Sequence, residues 1–219
     1  MLLYYITDRS AFAGSEADRR IALLRRIAEA AHAGVDYIQL REKDLPAREL
    51  EFLAHEAVRA VRDNSQTTRL LINGRTDIAL ASGADGVHLP GDDLPASEVK
   101  TLWMKSSDKS PVIGISAHSV ADVRLAESHG ASFAVLAPIF EKVQTEAEGI
   151  GVGLLREACS GLTSALGANG DRFSVLALGG VNVENTEACL AAGASGVAGI
   201  RLFQTGLLGD TVRRLRGLG

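Results

Sequence analysis

Gly34-Val35-Asp36-Tyr37-Ile38-Gln39-Leu40-Arg41-Glu42-Lys43 is the stretch whose reading decides the fold. A glycine ends a helical pattern, an acid follows, and an apolar strand then runs into a cluster of charge and amide. The same opening recurs as Gly83-Ala84-Asp85-Gly86-Val87, Gly130-Ala131-Ser132-Phe133-Ala134 and Gly193-Ala194-Ser195-Gly196-Val197. The first three lie about 50 residues apart, the length of two strand–helix units. Within the first copy, alternation on an extended chain puts Gln39, Arg41 and Lys43 on one face and Ile38 and Leu40 on the other. Three donors on one face suit an anion with several oxygens, a phosphate or diphosphate. The competing reading is a solvated strand end in which Arg41 and Lys43 pair Glu42 or Asp44.

Outward from this stretch, strands and helices alternate. Strands are expected over Leu2–Thr7, Tyr37–Glu42, Arg69–Asn73, Gly86–Leu89, Val112–Ala117, Phe133–Phe140, Ser174–Leu178 and Val197–Phe203. Helices are expected over Glu16–Ala33, from Pro46 through Val61, over Thr76–Ser82, Ala96–Trp103, Val120–Ser128, Leu154–Leu166, Glu184–Ala192 and Leu207–Leu218, with a polar loop over Glu141–Gly151. Strands rich in Val, Ile and Leu without polar alternation are buried on both faces, as in a parallel sheet. Eight such units with no linker between them predict a single-domain (β/α)8 barrel over residues 1–219, near the usual size of about 250 residues for that fold. An open doubly wound sheet is the runner-up, but no Gly-x-Gly-x-x-Gly follows the first strand.

In such a barrel the active site lies at the C-terminal ends of the strands. Those ends carry Thr7 and Asp8, then Gln39, Arg41 and Lys43, then Asn73 and Arg75, then His88 and Asp92-Asp93, then Ser116 and His118, then Gly179-Gly180, and finally Gly199, Ile200 and Arg201. Gly179-Gly180 ahead of a helix, with Gly199 and Ile200 beside it, reads as a phosphate site built from backbone N–H groups; alternatively Gly179-Gly180 makes only a tight turn. Asp92-Asp93 reads either as a magnesium site or as a surface acid pair. His118 is either a proton shuttle, since an unperturbed pKa of about 6.5 suits transfer near neutrality, or a rim histidine. His88, inside a strand, reads as structural, and His32, His55 and His129 sit in helical patterns away from the expected mouth.

Composition narrows the classes. Hydrophobic content of 46% and charged content of 23% are those of a globular chain, and a net charge of −4 gives no basic footprint for nucleic acid. No apolar run reaches the roughly 18 residues of a membrane span. The N-terminus reads as a first strand and not as a signal peptide. Cys159 and Cys189 lie in helical apolar patterns and are expected to be buried thiols in a reducing compartment, which points to the cytoplasm. The expected partners are small molecules, with neither nucleic acid nor membrane among them; homo-oligomer formation is left open.

Tyr5-Ile6-Thr7-Asp8, Gln39-Leu40-Arg41-Glu42-Lys43, Leu71-Ile72-Asn73, Asp77-Ile78-Ala79-Leu80, Ala84-Asp85-Gly86-Val87-His88-Leu89, Gly114-Ile115-Ser116-Ala117-His118-Ser119, Pro138-Ile139-Phe140 and Ala177-Leu178-Gly179-Gly180-Val181 together resemble the thiamin phosphate synthase/TenI superfamily, in order and over nearly the whole chain. The resemblance implies a (β/α)8 barrel that joins hydroxymethylpyrimidine diphosphate to thiazole phosphate with magnesium. Diphosphate leaves first and the thiazole nitrogen captures the pyrimidine methyl cation. By position it implies that Gln39 contacts the pyrimidine, that Arg41, Lys43, Asn73 and Ser116 hold the diphosphate, that Asp93 holds magnesium, and that Gly180 and the strand-eight end hold the thiazole phosphate. Some features differ from the family's synthases: Gly74 stands where they carry Asp, Glu141–Glu146 replaces a Pro-Thr-x-Thr-Lys loop, and Ala198 and Arg201 replace two Ser. Asn73-Gly74-Arg75, Leu89-Pro90, His118-Ser119 and Phe140-Glu141 resemble the TenI branch. That branch implies a thiazole tautomerase with His118 as its acid/base residue and no metal. A third reading is a non-catalytic barrel that binds thiazole phosphate.

Overall fold

Eight parallel strands pair in chain order, and the last closes on the first: β1 (Leu2–Ile6), β2 (Tyr37–Leu40), β3 (Arg69–Asn73), β4 (Gly86–Leu89), β5 (Val112–Ala117), β6 (Phe133–Leu136), β7 (Ser174–Ala177) and β8 (Gly196–Gly199). Closure sets Tyr4 opposite Ala198 and Tyr5 opposite Gly199. This computed structural model describes residues 1–140, 149–163, 167 and 170–219. Outside the barrel run α1 (Glu16–His32), α2 (Ala47–Arg62), α3 (Thr76–Ser82), α4 (Ala96–Trp103), α5 (Val120–Ser128), α6 (Gly151–Ser160), α7 (Thr186–Ala191), α8 (Arg201–Gln204) and α9 (Leu208–Arg216). The fold is the expected (β/α)8 barrel.

The recurring Gly-x-Asp/Ser has a single mechanical explanation. Gly34, Gly83, Gly130 and Gly193 have φ of 84°, 70°, 74° and 98°, the left-handed turn that ends a helix and that a side chain resists. The residue two places on then pins the preceding strand. Asp36 Oδ2 accepts from Leu3 N at 2.7 Å, Asp85 Oδ2 from Leu70 N at 2.9 Å, and Ser132 Oγ from Ile113 N at 3.0 Å. Each pair is reciprocal, because Asp36, Asp85 and Ser132 donate their own N–H to the carbonyls of Leu3, Leu70 and Ile113. β1, β3 and β5 are thereby held in register by the strands that follow them.

Several elements depart from the expected bounds. β2 stops at Leu40, so Arg41 and Lys43 leave the strand and strand alternation does not govern them. β8 stops at Gly199; Leu202 and Phe203, apolar enough to read as strand, belong to α8, and buried Phe203 lies against the Tyr5 ring. β6 stops at Leu136 rather than Phe140. α6 covers Gly151–Ser160, so Gly151 belongs to a helix and not to the loop; the rest of that loop, residues 141–148, and the expected helix end at 164–166 lie outside the described residues.

Two apolar layers result. One lies between barrel and helices and includes Leu23, Ile27, Leu53, Ile72, Val87, Val123 and Phe203. The other fills the barrel itself with Tyr4, Ile6, Leu71, Val112, Phe133, Val135, Leu176 and Ala198. Tyr37 stacks on Phe133 at 5.1 Å and Tyr4 meets Phe133 edge-on at 5.2 Å, which plugs the barrel. Cys189 is buried and Cys159 half-buried, both free thiols, so only Cys189 is as enclosed as expected.

Gly86 and Gly196, at the starts of β4 and β8, leave no space for a side chain: a Cβ there would lie 1.8 Å from the Val112 carbonyl oxygen and 1.9 Å from that of Leu2. Gly86→Ala is expected to lower stability by about 3 kcal/mol or more, because the obstructing atom is backbone. Urea unfolding of both chains measures it, and a loss below about 0.5 kcal/mol would show that the strands separate there at little cost.

Candidate active site

The strand ends open into one cavity of about 1990 Å³, room for two small molecules at roughly 300–1,000 Å³ each. Gln39, Arg41, Lys43, Asn73, Ser116, His118, Gly179, Gly180, Gly199 and Ile200 all line it, so residues far apart in sequence share one mouth. Asp93 does not line it, whereas Asp92 does. Asp93 instead faces a small side cavity between α4 and α5, and its Oδ1 accepts from Leu94 N.

The turn after β2 is clamped from behind. Glu42 is buried and accepts from Thr7 Oγ1 at 2.6 Å, from Arg9 N at 3.0 Å and from Arg9 Nη1 at 3.2 Å. Arg9 is itself buried and also bonds Asp44 in two places at 2.7 Å, and Glu16. Burial raises the Glu42 pKa, and the bonds from Thr7 and Arg9 oppose that rise. Arg9 therefore takes both carboxylates that could have neutralised the cations beside them. Among the described residues, the Arg41 and Lys43 side chains make no hydrogen bond or ion pair, and only the Arg41 N–H is tied, to Thr7 Oγ1. The solvated ion-pair reading of this turn is thus incorrect, because its acids belong to Arg9.

Below the mouth, a chain of hydrogen bonds crosses the barrel. Gln39 Nε2 donates to Tyr4 OH at 2.9 Å, Tyr4 OH meets His88 Nδ1 at 3.1 Å, and His88 Nε2 meets Ser116 Oγ at 3.0 Å. Gln39, Tyr4 and His88 are buried. Desolvation, helped by the nearby Arg41 charge, pushes the His88 pKa down to about 3, so the imidazole is neutral at physiological pH. Gly114 makes room for it: a Cβ there would lie 2.7 Å from His88 Nδ1 and 2.6 Å from the Phe133 ring.

On the opposite wall Gly179 and Gly180 have φ of 93° and 65°. The Gly180 and Ile200 N–H groups have no protein acceptor among the described residues. α7 begins only at Thr186, so Gly180 does not sit at a helix N-terminus as expected; the open N–H groups come from the turns after β7 and β8. His118 Nδ1 lies 2.8 Å from the Ala137 carbonyl, which fixes that nitrogen as N–H donor and leaves Nε2 as an acceptor.

Among the described residues no three His, Cys, Asp or Glu cluster as metal ligands. At the mouth Gly74 brings no carboxylate, while exposed Asp92 offers oxygen donors; Asp93 faces the side cavity instead. Such a set fits a magnesium ion held chiefly by substrate phosphate oxygens and water. Arg9, Tyr4 and Gly114 are not singled out in the sequence as site residues. Inward alternation on β1 marks Tyr4, but nothing local marks Arg9, whose partners Glu42 and Asp44 lie more than 30 residues away.

The family model described as thiamine monophosphate synthase matches residues 3–203. A relative from Aquifex aeolicus (strain VF5) is 40% identical over 202 residues, covering 92% of this chain and 96% of the relative. A thiamine-phosphate synthase from Caldanaerobacter subterraneus subsp. tengcongensis is 34% identical over 217 residues, covering 98% and 92%. Among solved structures, the thiamine phosphate pyrophosphorylase from Pyrococcus furiosus superposes with a TM-score of 0.77 at 27% identity, covering 99% of this chain and 94% of that one.

Arg9→Met is expected to destabilise the chain by about 3–5 kcal/mol, since it leaves Glu42 buried without its cation. Thermal and urea unfolding read this directly, and a loss under about 1 kcal/mol would show that Glu42 does not depend on Arg9.

Proposed function

The chain belongs to the thiamine monophosphate synthase family, and from that premise we propose that it joins hydroxymethylpyrimidine diphosphate to thiazole phosphate, giving thiamin phosphate and diphosphate. The observation that carries this reading is the pair of cations, Arg41 and Lys43, unneutralised among the described residues, on the same mouth as Ser116 and the Gly180 and Ile200 N–H groups, which have no acceptor among those residues. Two anionic groups must be held at once, the leaving diphosphate and the thiazole phosphate, and the cavity offers a donor set on each wall.

The C–O bond between the pyrimidine methylene carbon and the diphosphate breaks, and its electron pair leaves with the diphosphate. A C–N bond then forms from the thiazole nitrogen lone pair. Arg41 and Lys43 hold the charge that grows on the leaving group, with Ser116 and Asn73 as further donors. Because Arg9 has already taken Glu42 and Asp44, this charge stabilisation needs no rearrangement of ion pairs at the moment of reaction. Gln39 holds the pyrimidine, and Gly179, Gly180, Gly199 and Ile200 hold the thiazole phosphate through backbone N–H groups. Asp92, the carboxylate of the pair that lines the mouth, is the residue that would hold magnesium, which would supply neutralising charge to the diphosphate when bound. The chain acts on small molecules, in the cytoplasm; among the described residues no helix is long and apolar enough to cross a membrane.

A tautomerase reading has one observation of its own: Gly74 leaves the strand-three end without a carboxylate, while His118 lines the mouth with its Nδ1 tied to the Ala137 carbonyl. Incubation with both substrates and magnesium separates the two. Thiamin phosphate is expected to form, and Arg41→Ala to slow it by about a hundredfold or more. No thiamin phosphate, with thiazole isomerisation that His118→Asn abolishes, would contradict the synthase reading.

A further inference from the structure

We infer that Tyr4 and His88 are positioning residues that fix the hydrogen-bond polarity of the mouth, so that Ser116 presents its proton and Gln39 its carbonyl oxygen to bound substrate. The inference rests on the synthase reading for its substrate, but its geometry stands apart from it.

The Tyr4 proton decides the arrangement. Tyr4 is fully buried, and its hydroxyl has two partners, Gln39 Nε2 and His88 Nδ1. An amide nitrogen only donates, so Tyr4 oxygen accepts from Gln39. If His88 carried its proton on Nδ1, it too would donate to Tyr4, and the Tyr4 proton would be left with no acceptor among the described residues. A buried donor without a partner is strongly disfavoured. Tyr4 therefore donates to Nδ1, and the neutral imidazole carries its proton on Nε2, which donates to Ser116 Oγ. Ser116 has then accepted, and its own proton is free to turn toward the cavity it lines. At the other end Gln39 has spent an N–H on Tyr4, which leaves its carbonyl oxygen for the mouth. A hydroxyl set to donate meets a leaving anion, and an amide oxygen set to accept meets an N–H donor on the ring being transferred.

The His88 tautomer is readable in the wild-type chain by nitrogen-15 NMR of labelled histidine, with the signal assigned in His88→Phe. Nε2 is expected to be protonated and Nδ1 not, unchanged across the range where an ordinary histidine titrates. A protonated Nδ1, or a ring that titrates normally, would overturn the inference. Binding of inorganic diphosphate with magnesium, followed by calorimetry, gives the functional side. Ser116→Ala is expected to weaken it about tenfold, the scale of a hydrogen bond to a charged group. His88→Phe is expected to weaken it roughly three- to tenfold in the wild-type background and not at all in the Ser116→Ala background. An undiminished His88→Phe effect in that background would overturn the inference, because His88 would then act through structure alone. A wild-type chain that binds no diphosphate yet shows the expected tautomer upholds the relay and counts against the synthase reading.

Discussion

The structure depends on a reciprocal pair of hydrogen bonds made three times: an Asp or Ser just ahead of an even strand accepts the N–H of the second residue of the odd strand before it and returns its own. A parallel barrel has no hairpins to set register, and a one-residue slip would turn every inward side chain outward. Pinning Leu3, Leu70 and Ile113 fixes the parity of β1, β3 and β5. With that parity Tyr4, Gln39, His88, Ser116 and Asn73 all face the axis, and the site is assembled without any residue being adjacent in sequence to another. The left-handed glycine two residues earlier is what lets the chain turn from helix to strand at the correct distance.

The cation clamp follows from a second constraint, the burial of Glu42. A carboxylate inside the barrel rim needs a cation and several donors, and Arg9, Thr7 and the Arg9 N–H meet that need. The same contacts draw Asp44 away. Among the described residues the positive charge of Arg41 and Lys43 is thus uncompensated, because the neighbouring Glu42 and Asp44 are bound to Arg9. Preorganised charge of this kind favours a developing anion more than it favours a neutral ground state.

Much of the fold was legible because each strand is a short apolar run closed by punctuation residues, and because the Gly-x-Asp/Ser opening repeats. The mouth was legible for the same reason: once the barrel is recognised, its strand ends name Gln39, Asn73, Ser116, His118 and Gly180. What escaped is what depends on three-dimensional partners. Apolar Leu202 and Phe203 read as strand, yet they belong to a short helix that buries Phe203 against Tyr5. Arg9 looks like an ordinary polar residue until Glu42 is seen to be buried beside it. His88 was read as structural, yet it touches Ser116 at the floor of the site. The choice between Asp92 and Asp93 turns on which carboxylate a tight turn points into the mouth, and two adjacent identical residues cannot announce that.

The most direct test of this account is a crystal structure of the chain grown with thiamin phosphate, magnesium and inorganic diphosphate. The diphosphate is expected between Arg41, Lys43 and Ser116, and the thiamin phosphate group against the Gly180 and Ile200 N–H groups on the facing wall. Ligand bound anywhere other than the C-terminal ends of the strands, or a diphosphate that leaves Arg41 and Lys43 without contact, would contradict it.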